Sequence, residues 1–367
     1  MNSQLPTTNY IEHYFSGNPN FNVTSTVLIL CNGDSFDTVY FKINLPELPT
    51  GISYREGMIY DLIQEIKLVI GGKVVYYVDS KLMKFTDKIN GNTTKVEYLS
   101  KIRNNSVCYP LYLNQALRES ESLTNSETKH SRGIKFYGLD MHEVRLVVRF
   151  GELKDIIVYP SDFDLDILKE KKYHMADASA LIIYNNRDIS NQCINLTSTI
   201  PRDEHAERRC SIIQPIEFWV KDEEFIGMAN SFKIKIRTDY FNEVLYQPDN
   251  KTLKFDTYYE VTDLVVSMDN TEFKDFKLQL NGFDLNEHSN SDIIDMHWKC
   301  ENNLLLDPDI SFGMKINIRI KKGDVLILCV NLKNPIDVQC NLTYYMKCRS
   351  KLYYYEGMSF PVISVTE

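Results

Sequence analysis

An all-β chain of two tandem sandwiches is the fold class this sequence predicts, and three observations predict it. Apolar and polar residues alternate at period two in several separate runs, the pattern of strands with one buried face. Between those runs fall glycine and asparagine turn signals, where the chain must adopt positive φ. Amphipathic helices of roughly 10–15 residues do not alternate with the strands, which argues against a parallel βαβ arrangement.

The elements follow in chain order. Val39, Phe41, Ile43 and Leu45 alternate with Thr38, Tyr40, Lys42 and Asn44. Val144, Leu146, Val148 and Phe150 do so around Arg145 and Arg149, Phe232, Ile234 and Ile236 around Lys233 and Lys235, and Met314, Ile316, Ile318 and Ile320 around Lys315, Asn317 and Arg319. Turns are expected at Asn32-Gly33-Asp34, Gly71-Gly72, Asn90-Gly91-Asn92, Asn281-Gly282 and Lys322-Gly323-Asp324. Helical signal is confined to short loop pieces: Ser80 to Leu99, Asn114 to Ser120 and Asp164 to Lys172. The polar stretch from Asn186 to Cys210, followed by a fresh strand-like run from Ile212 to Val220, marks the break between halves. The expected organisation is an N-terminal arm over 1–20, a first sandwich over 21–205, and a second over 206–367 that includes a C-terminal tail. An internal echo crosses the break: Glu65 to Gly72 and Asp275 to Gly282 share the order acidic, apolar, Lys, Leu, any, apolar, Gly or Asn, Gly. It fits two copies of one sandwich, each with a strand running into a tight turn.

Composition narrows the function. The 367 residues carry 41 Lys and Arg against 50 Asp and Glu, a net charge of −9. That is the wrong sign for a protein whose work is neutralising phosphates, so direct nucleic-acid binding is not expected. Aromatic content of 12% with only 15 Gly and 12 Pro excludes a disordered or collagen-like chain. The first residues lack a basic cluster followed by an apolar run, and no apolar stretch approaches the roughly 20 residues of a membrane span, so synthesis in the cytosol is expected. Eight cysteines are sparse and irregularly spaced, which suggests buried thiols and no disulfide framework. The Asn-x-Ser/Thr triplets then carry no functional weight.

Isolated motifs assemble no active site. His142 stands beside Glu143 without a third partner, so a structural imidazole is the expectation. His297 and Cys300, with Cys340 and Cys348, lack the Cys-x-x-Cys pair that would anchor zinc. Gly71-Gly72-Lys73 lacks the upstream glycine and the following Ser or Thr of a phosphate loop, and it joins two strands. Asp162, Asp164 and Asp166 lack the glycine and terminal glutamate of a calcium loop. No catalytic, cofactor-binding or metal-binding residue is therefore assigned.

The ordered motifs carry a family resemblance. Asp61-Leu62-Ile63, Lys67 to Val75 with its Ile70-Gly71-Gly72 turn, Leu111-Tyr112-Leu113 and Met141-His142-Glu143-Val144-Arg145-Leu146 resemble the first half of the double jelly-roll major capsid proteins of nucleocytoplasmic large DNA viruses. In the second half Gln214 to Val220, Leu278-Gln279-Leu280-Asn281-Gly282, Val325 to Asn331, Asn334-Pro335 and Cys340-Asn341-Leu342 are similar to that family's strands and turns. The chain departs in lacking a Gln-Pro-Ser-Gly-Thr connector before Cys340 and a Ser-Arg after Asn341. The resemblance implies two eight-stranded jelly rolls, with short helices in loops, and a non-enzymatic capsid subunit forming a pseudo-hexameric homotrimer in an icosahedral shell. Implied partners are neighbouring capsomers, minor capsid proteins and, through other proteins, an internal membrane. Alternatives are a minor capsid or transient scaffold protein of the same fold, or a cupin- or lectin-like sandwich. Tyr344, Tyr345, Tyr353, Tyr354, Tyr355 and Phe360 are the candidate interface aromatics, with a core strand as the other reading. Gly71, Gly72, Asn281 and Gly282 are the turn residues.

Overall fold

The computed structural model describes residues 7–89, 93–102, 105–113, 134–136, 142–160, 163, 173–186, 211–237, 244–246, 252–255, 258–268, 273–285, 297–298, 310–321, 323–337 and 339–355. The first half forms strands β1 (Thr7–Tyr14), β2 (Thr24–Ile29), β3 (Ser35–Asn44), β4 (Ser53–Tyr54), β5 (Ile63–Ile70), β6 (Lys73–Asp79), β7 (Ser106–Tyr112), β8 (Ile134–Lys135), β9 (Val144–Phe150), β10 (Ile157–Val158) and β11 (Asp177–Asn186). Its helices are α1 (Ile59–Leu62), α2 (Ser80–Ile89) and α3 (Thr93–Lys101). The second half forms β12 (Ser211–Ile226), β13 (Ala229–Ile236), β14 (Val244–Tyr246), β15 (Thr252–Phe255), β16 (Tyr258–Met268), β17 (Phe273–Leu280), β18 (Phe283–Asp284), β19 (His297–Trp298), β20 (Ile310–Lys321), β21 (Leu326–Ile336) and β22 (Cys340–Tyr355).

The two halves are wired alike. In the first, one sheet runs β1-β11-β3-β7 and the other β2-β9-β5-β6. In the second, β12 pairs with β22, which continues to β16 and β20, and the other sheet runs β13-β21-β17-β18. Each strand of the first set has a counterpart in the second at the same place in both chain order and sheet order. All these ladders are antiparallel, and none among the described residues joins a strand before residue 187 to one after residue 210. Two antiparallel sheets per half, each built on four strands shared between the halves, is the jelly-roll plan; β8 extends one sheet of the first half, and β14, β15 and β19 extend one of the second.

Period two builds each half. In β9 the buried residues are Val144, Leu146, Val148 and Phe150, while Arg145 and Arg149 face solvent. The first core closes between its sheets where Phe15 meets Phe41 of β3 at 6.4 Å and Phe150 of β9 at 5.6 Å between ring centroids.

Some expectations change. The arm expected over residues 1–20 is no arm along Thr7–Tyr14: that segment pairs over its whole length with β11 and forms an edge of the first jelly roll. With only Ile11 and His13 turned inward it carries a weak apolar signal, and the ladder supplies what the pattern lacks. The boundary expected at 205/206 lies outside the described residues, as do Asn114 to Ser120, Asp164 to Lys172 and the Asn90 turn. The helix expected from Ser80 to Leu99 is present as α2 and α3. Among the described cysteines, Cys31, Cys108, Cys329, Cys340 and Cys348 form no disulfide; Cys348 is buried as expected, Cys108, Cys329 and Cys340 are half-buried, and Cys31 is exposed.

Candidate functional site

The turns expected from glycine and asparagine do structural work at matching places. Gly71 and Gly72 take φ of 56° and 85°, and Asn281 and Gly282 take 52° and 86°. Gly71 donates its backbone N–H to the Glu143 carbonyl at 3.0 Å, and Asn281 donates its own to Val325 at 2.8 Å. Glu143 and Val325 each immediately precede counterpart strands, β9 and β21. The residue types differ because the surroundings differ. A Cβ on Gly71 would sit 2.7 Å from Nδ1 of the buried His142, so the side-chain volume is already taken. At 281 the space is open and asparagine, which tolerates the left-handed region, uses it. Its Oδ1 accepts from the Val325 N–H at 2.9 Å and its Nδ2 donates to Asp324 at 3.0 Å. Two motifs far apart in sequence, Gly71-Gly72 and His142-Glu143, thus meet as one structural unit.

The candidate aromatics separate into two groups. Tyr344 and Tyr345 are each 1% exposed, so neither offers itself to a neighbouring subunit as expected. Consecutive strand residues point to opposite faces, and here both faces are covered. Tyr344 turns into its own jelly roll, donating to Asp222 at 3.3 Å and accepting from the Arg237 N–H at 3.2 Å. Tyr345 turns toward the first jelly roll, where its hydroxyl donates to Asp79 Oδ2 at 2.9 Å. A buried phenol needs such a partner, and its own chain supplies one. Tyr353, Tyr354 and Tyr355 pair through their backbones with Ser211–Ile213 and with Thr252–Lys254. Their side chains, and all of Phe360, lie outside the described residues.

Asp79 is the centre that pattern reading missed. It ends β6, and its Oδ1 accepts the Leu82 N–H at 2.9 Å, capping α2. Its Oδ2 receives Tyr345 and, at 3.3 Å, Lys221 from the second half, with Tyr77 at 3.5 Å. Lys221 also reaches Glu223 at 3.0 Å. Burial pushes the Tyr345 hydroxyl far above its ordinary pKa, and the Asp79 charge adds to the rise. For Lys221 burial acts downward, but Asp79 and Glu223 together outweigh it and hold the ammonium above its usual value. The hydrogen bond from Lys221 keeps Glu223 below the ordinary carboxylate range. One carboxylate therefore both starts a helix and fastens the two jelly rolls. The Asp-Ser start of the helix was the available signal.

Asp79→Ala is expected to destabilise the protein by about 3 kcal/mol, from a lost cap worth ~1 and a stranded buried hydroxyl worth ~1–3. Asp79→Asn, which keeps a capping oxygen, should recover part of that loss in urea unfolding. Equal losses for the two variants would show that the cap contributes nothing.

A second buried polar group lies under the helices. Lys95 of α3 pairs with Asp87 of α2 at 2.6 Å, and Asp87 also accepts from Tyr60 at 3.0 Å and Tyr109 at 3.5 Å. No group of three His, Cys, Asp or Glu among the described residues is placed to hold a metal ion. What these residues can do chemically is hold parts together.

Comparison with known proteins places this geometry. Residues 6–184 match the family model described as the N-terminus of major capsid proteins. The solved PBCV-1 virus capsid is 12% identical and covers 99% of this chain and 98% of its own, with a TM-score of 0.57. The Faustovirus major capsid protein is 8% identical and covers 96% and 92%, with a TM-score of 0.50. At those identities the structures speak for the fold. No curated protein matches in sequence.

Proposed function

We propose that the chain, whose residues 6–184 match the model of the major capsid protein N-terminus, is a structural subunit of a virion capsid and builds an icosahedral DNA-virus shell as a homotrimer. The observation that carries the reading is the repeated wiring: strands β1, β11, β3 and β7 recur as β12, β22, β16 and β20, and β2, β9, β5 and β6 as β13, β21, β17 and β18. One chain thereby supplies two similar wedges, and a closed ring of three chains presents six, which tile a hexagonal lattice. The two wedges are held in one subunit by the Asp79, Tyr345 and Lys221 contact. Its work is mechanical, and we assign it no catalytic step. Its partners are other copies, adjoining capsomers and minor capsid proteins, with the genome and any internal membrane reached through other proteins. Synthesis takes place in the host cytoplasm.

Size-exclusion chromatography with light scattering should give three times the 42.8 kDa chain mass. A strict monomer at high concentration would overturn the trimer. On a stained gel of purified particles the chain should be the dominant band; a faint band would assign it to a minor or transient scaffold role.

A further inference from the structure

One titratable side chain holds the first strand on its jelly roll. β1 is an edge strand, hydrogen-bonded on one side to β11. Of its described side chains Ile11 is half-buried and His13 buried, so His13 is the main inward anchor. Its Nε2 lies 2.8 Å from the Tyr184 hydroxyl of β11, and the ring also donates to the backbone carbonyl of Leu28 in β2, a strand of the opposite sheet. The imidazole therefore ties the two sheets together at their open edge. Tyr184 packs in turn on Phe136 and Phe36, at 5.8 and 6.5 Å between ring centroids.

This setting suits a neutral ring and not a charged one. With its proton on Nδ1 the imidazole donates to Leu28 and accepts the Tyr184 proton at Nε2, which satisfies both partners. A second proton would set an N–H on Nε2 against the Tyr184 oxygen, which already receives a hydrogen bond from Asn32. The surrounding elements supply no counter-charge. β2 carries no titratable side chain, β11 brings Asp177 and Tyr184, the turn after β2 brings Cys31 and Asp34, and β3 brings Asp37, Tyr40 and Lys42. Asp177 and Lys42 are exposed, as is Glu12 of β1 itself. Among the described residues no charged group acts on the ring: burial lowers its pKa, and the Leu28 carbonyl alone opposes that.

We infer that His13 is an acid-released clasp: protonation of its ring frees β1 from β11 while the rest of the first jelly roll stays folded. The strand's two ends are held differently. Phe15, just past β1, is buried against Phe41 and Phe150, and Ser16 bridges to Thr26, so β1 swings from that end as a flap. An edge strand with few buried contacts opens at lower cost than the strands inside the sheet. Linkage sets the sign. A ring kept neutral in place and ordinary once released binds its proton more tightly in the open state, so closure is strongest above about pH 6.5 and weakens as pH falls below it. Glu12 takes no part in this: hydrogen bonds from Ser179 and Lys42 hold its carboxyl below the ordinary range, and it stays ionised through that window.

The test is backbone hydrogen exchange of the full chain, read by mass spectrometry on peptides covering β1 and β3 and corrected for the intrinsic rate at each pH. From about pH 7.5 to about 5.5 the opening of β1 should rise about 10-fold, the effect of one proton taken up on release, while β3 stays protected. His13→Gln keeps a donor and an acceptor but does not titrate, and should make β1 opening independent of pH. His174→Gln, at an exposed ring, should respond as the wild type does. A wild type whose β1 opening ignores pH, an undiminished response in His13→Gln, a lost response in His174→Gln, or a rise shared equally by β3 overturns the inference. Should His13→Gln fail to fold, exchange at the imidazole C2 hydrogen of the wild type decides: His13 is expected to titrate below about 6.5, and a midpoint at or above that value overturns the clasp.

Discussion

Gly151→Ala is expected to lower the stability of the first jelly roll by about 4 kcal/mol or more, in the range reserved for severe steric or burial defects. Gly151 follows the last residue of β9, and a Cβ there would lie 2.0 Å from the carbonyl oxygen of Asp61 and 3.2 Å from its carbonyl carbon. Both are backbone atoms, so no side chain can swing away. The segments are also tied together. Gly151 donates its N–H to the Leu62 carbonyl at 2.8 Å, and its own carbonyl accepts from Asn22 at 3.0 Å. Asp61 is held by Arg55, and by Lys84 at 3.4 Å. Relieving the overlap would mean breaking these links and shifting α1 away from the sheet. Gly227→Ala is the matched control, since nothing lies within 4 Å of its Cβ position and its side of the β12–β13 connection is exposed. Urea unfolding should separate the two; a cost below about 1 kcal/mol for Gly151→Ala, the level of an ordinary substitution, would show that the α1 backbone yields.

Asp87→Ala should cost about 3–5 kcal/mol, the usual penalty for removing one member of a buried ion pair. The loss comes from what remains behind. Lys95 is enclosed, with its ammonium 4.3 Å from the centroid of the Tyr109 ring, and without Asp87 it keeps a charge that water cannot reach. Burial already presses on both partners, raising the Asp87 carboxyl and lowering the Lys95 ammonium against their mutual attraction. Tyr60 and Tyr109 would lose their acceptor at the same time. The double variant Asp87→Ala/Lys95→Met removes both charges and should be more stable than Asp87→Ala alone. Equal or greater loss in the double variant would show that the pair's packing, and not its uncompensated charge, sets the cost. The expected readout also reaches the junction, because α2 carries Asp87 and is capped by Asp79, the residue that receives Tyr345 and Lys221.

Much of this was legible along the chain. The strands show in alternation such as Val144 to Phe150, because one buried face imposes a period of two on neighbouring residues. The turns at Gly71-Gly72 and Asn281-Gly282 show because few residues accept positive φ, and the echo between them marks counterpart hairpins. The edge strand β1 did not show: Tyr10 and Tyr14 face outward, and its inward side carries only Ile11 and His13. The Tyr344-Tyr345 pair announced a buried aromatic site but not its location, since a strand covered on both faces looks the same whether the cover comes from its own chain or another.

Asp79 and Asp87 were less legible still. An acidic residue at a helix start or on a helix face is ordinarily solvated, and only its partners reveal otherwise. The sequence by itself determined the class of fold, its duplication and its turns, all of which rest on preferences of residues a few positions apart. The tertiary structure alone decided that Tyr345 reaches Asp79 across 266 positions. Local propensity carries no record of which distant surface comes to rest against which.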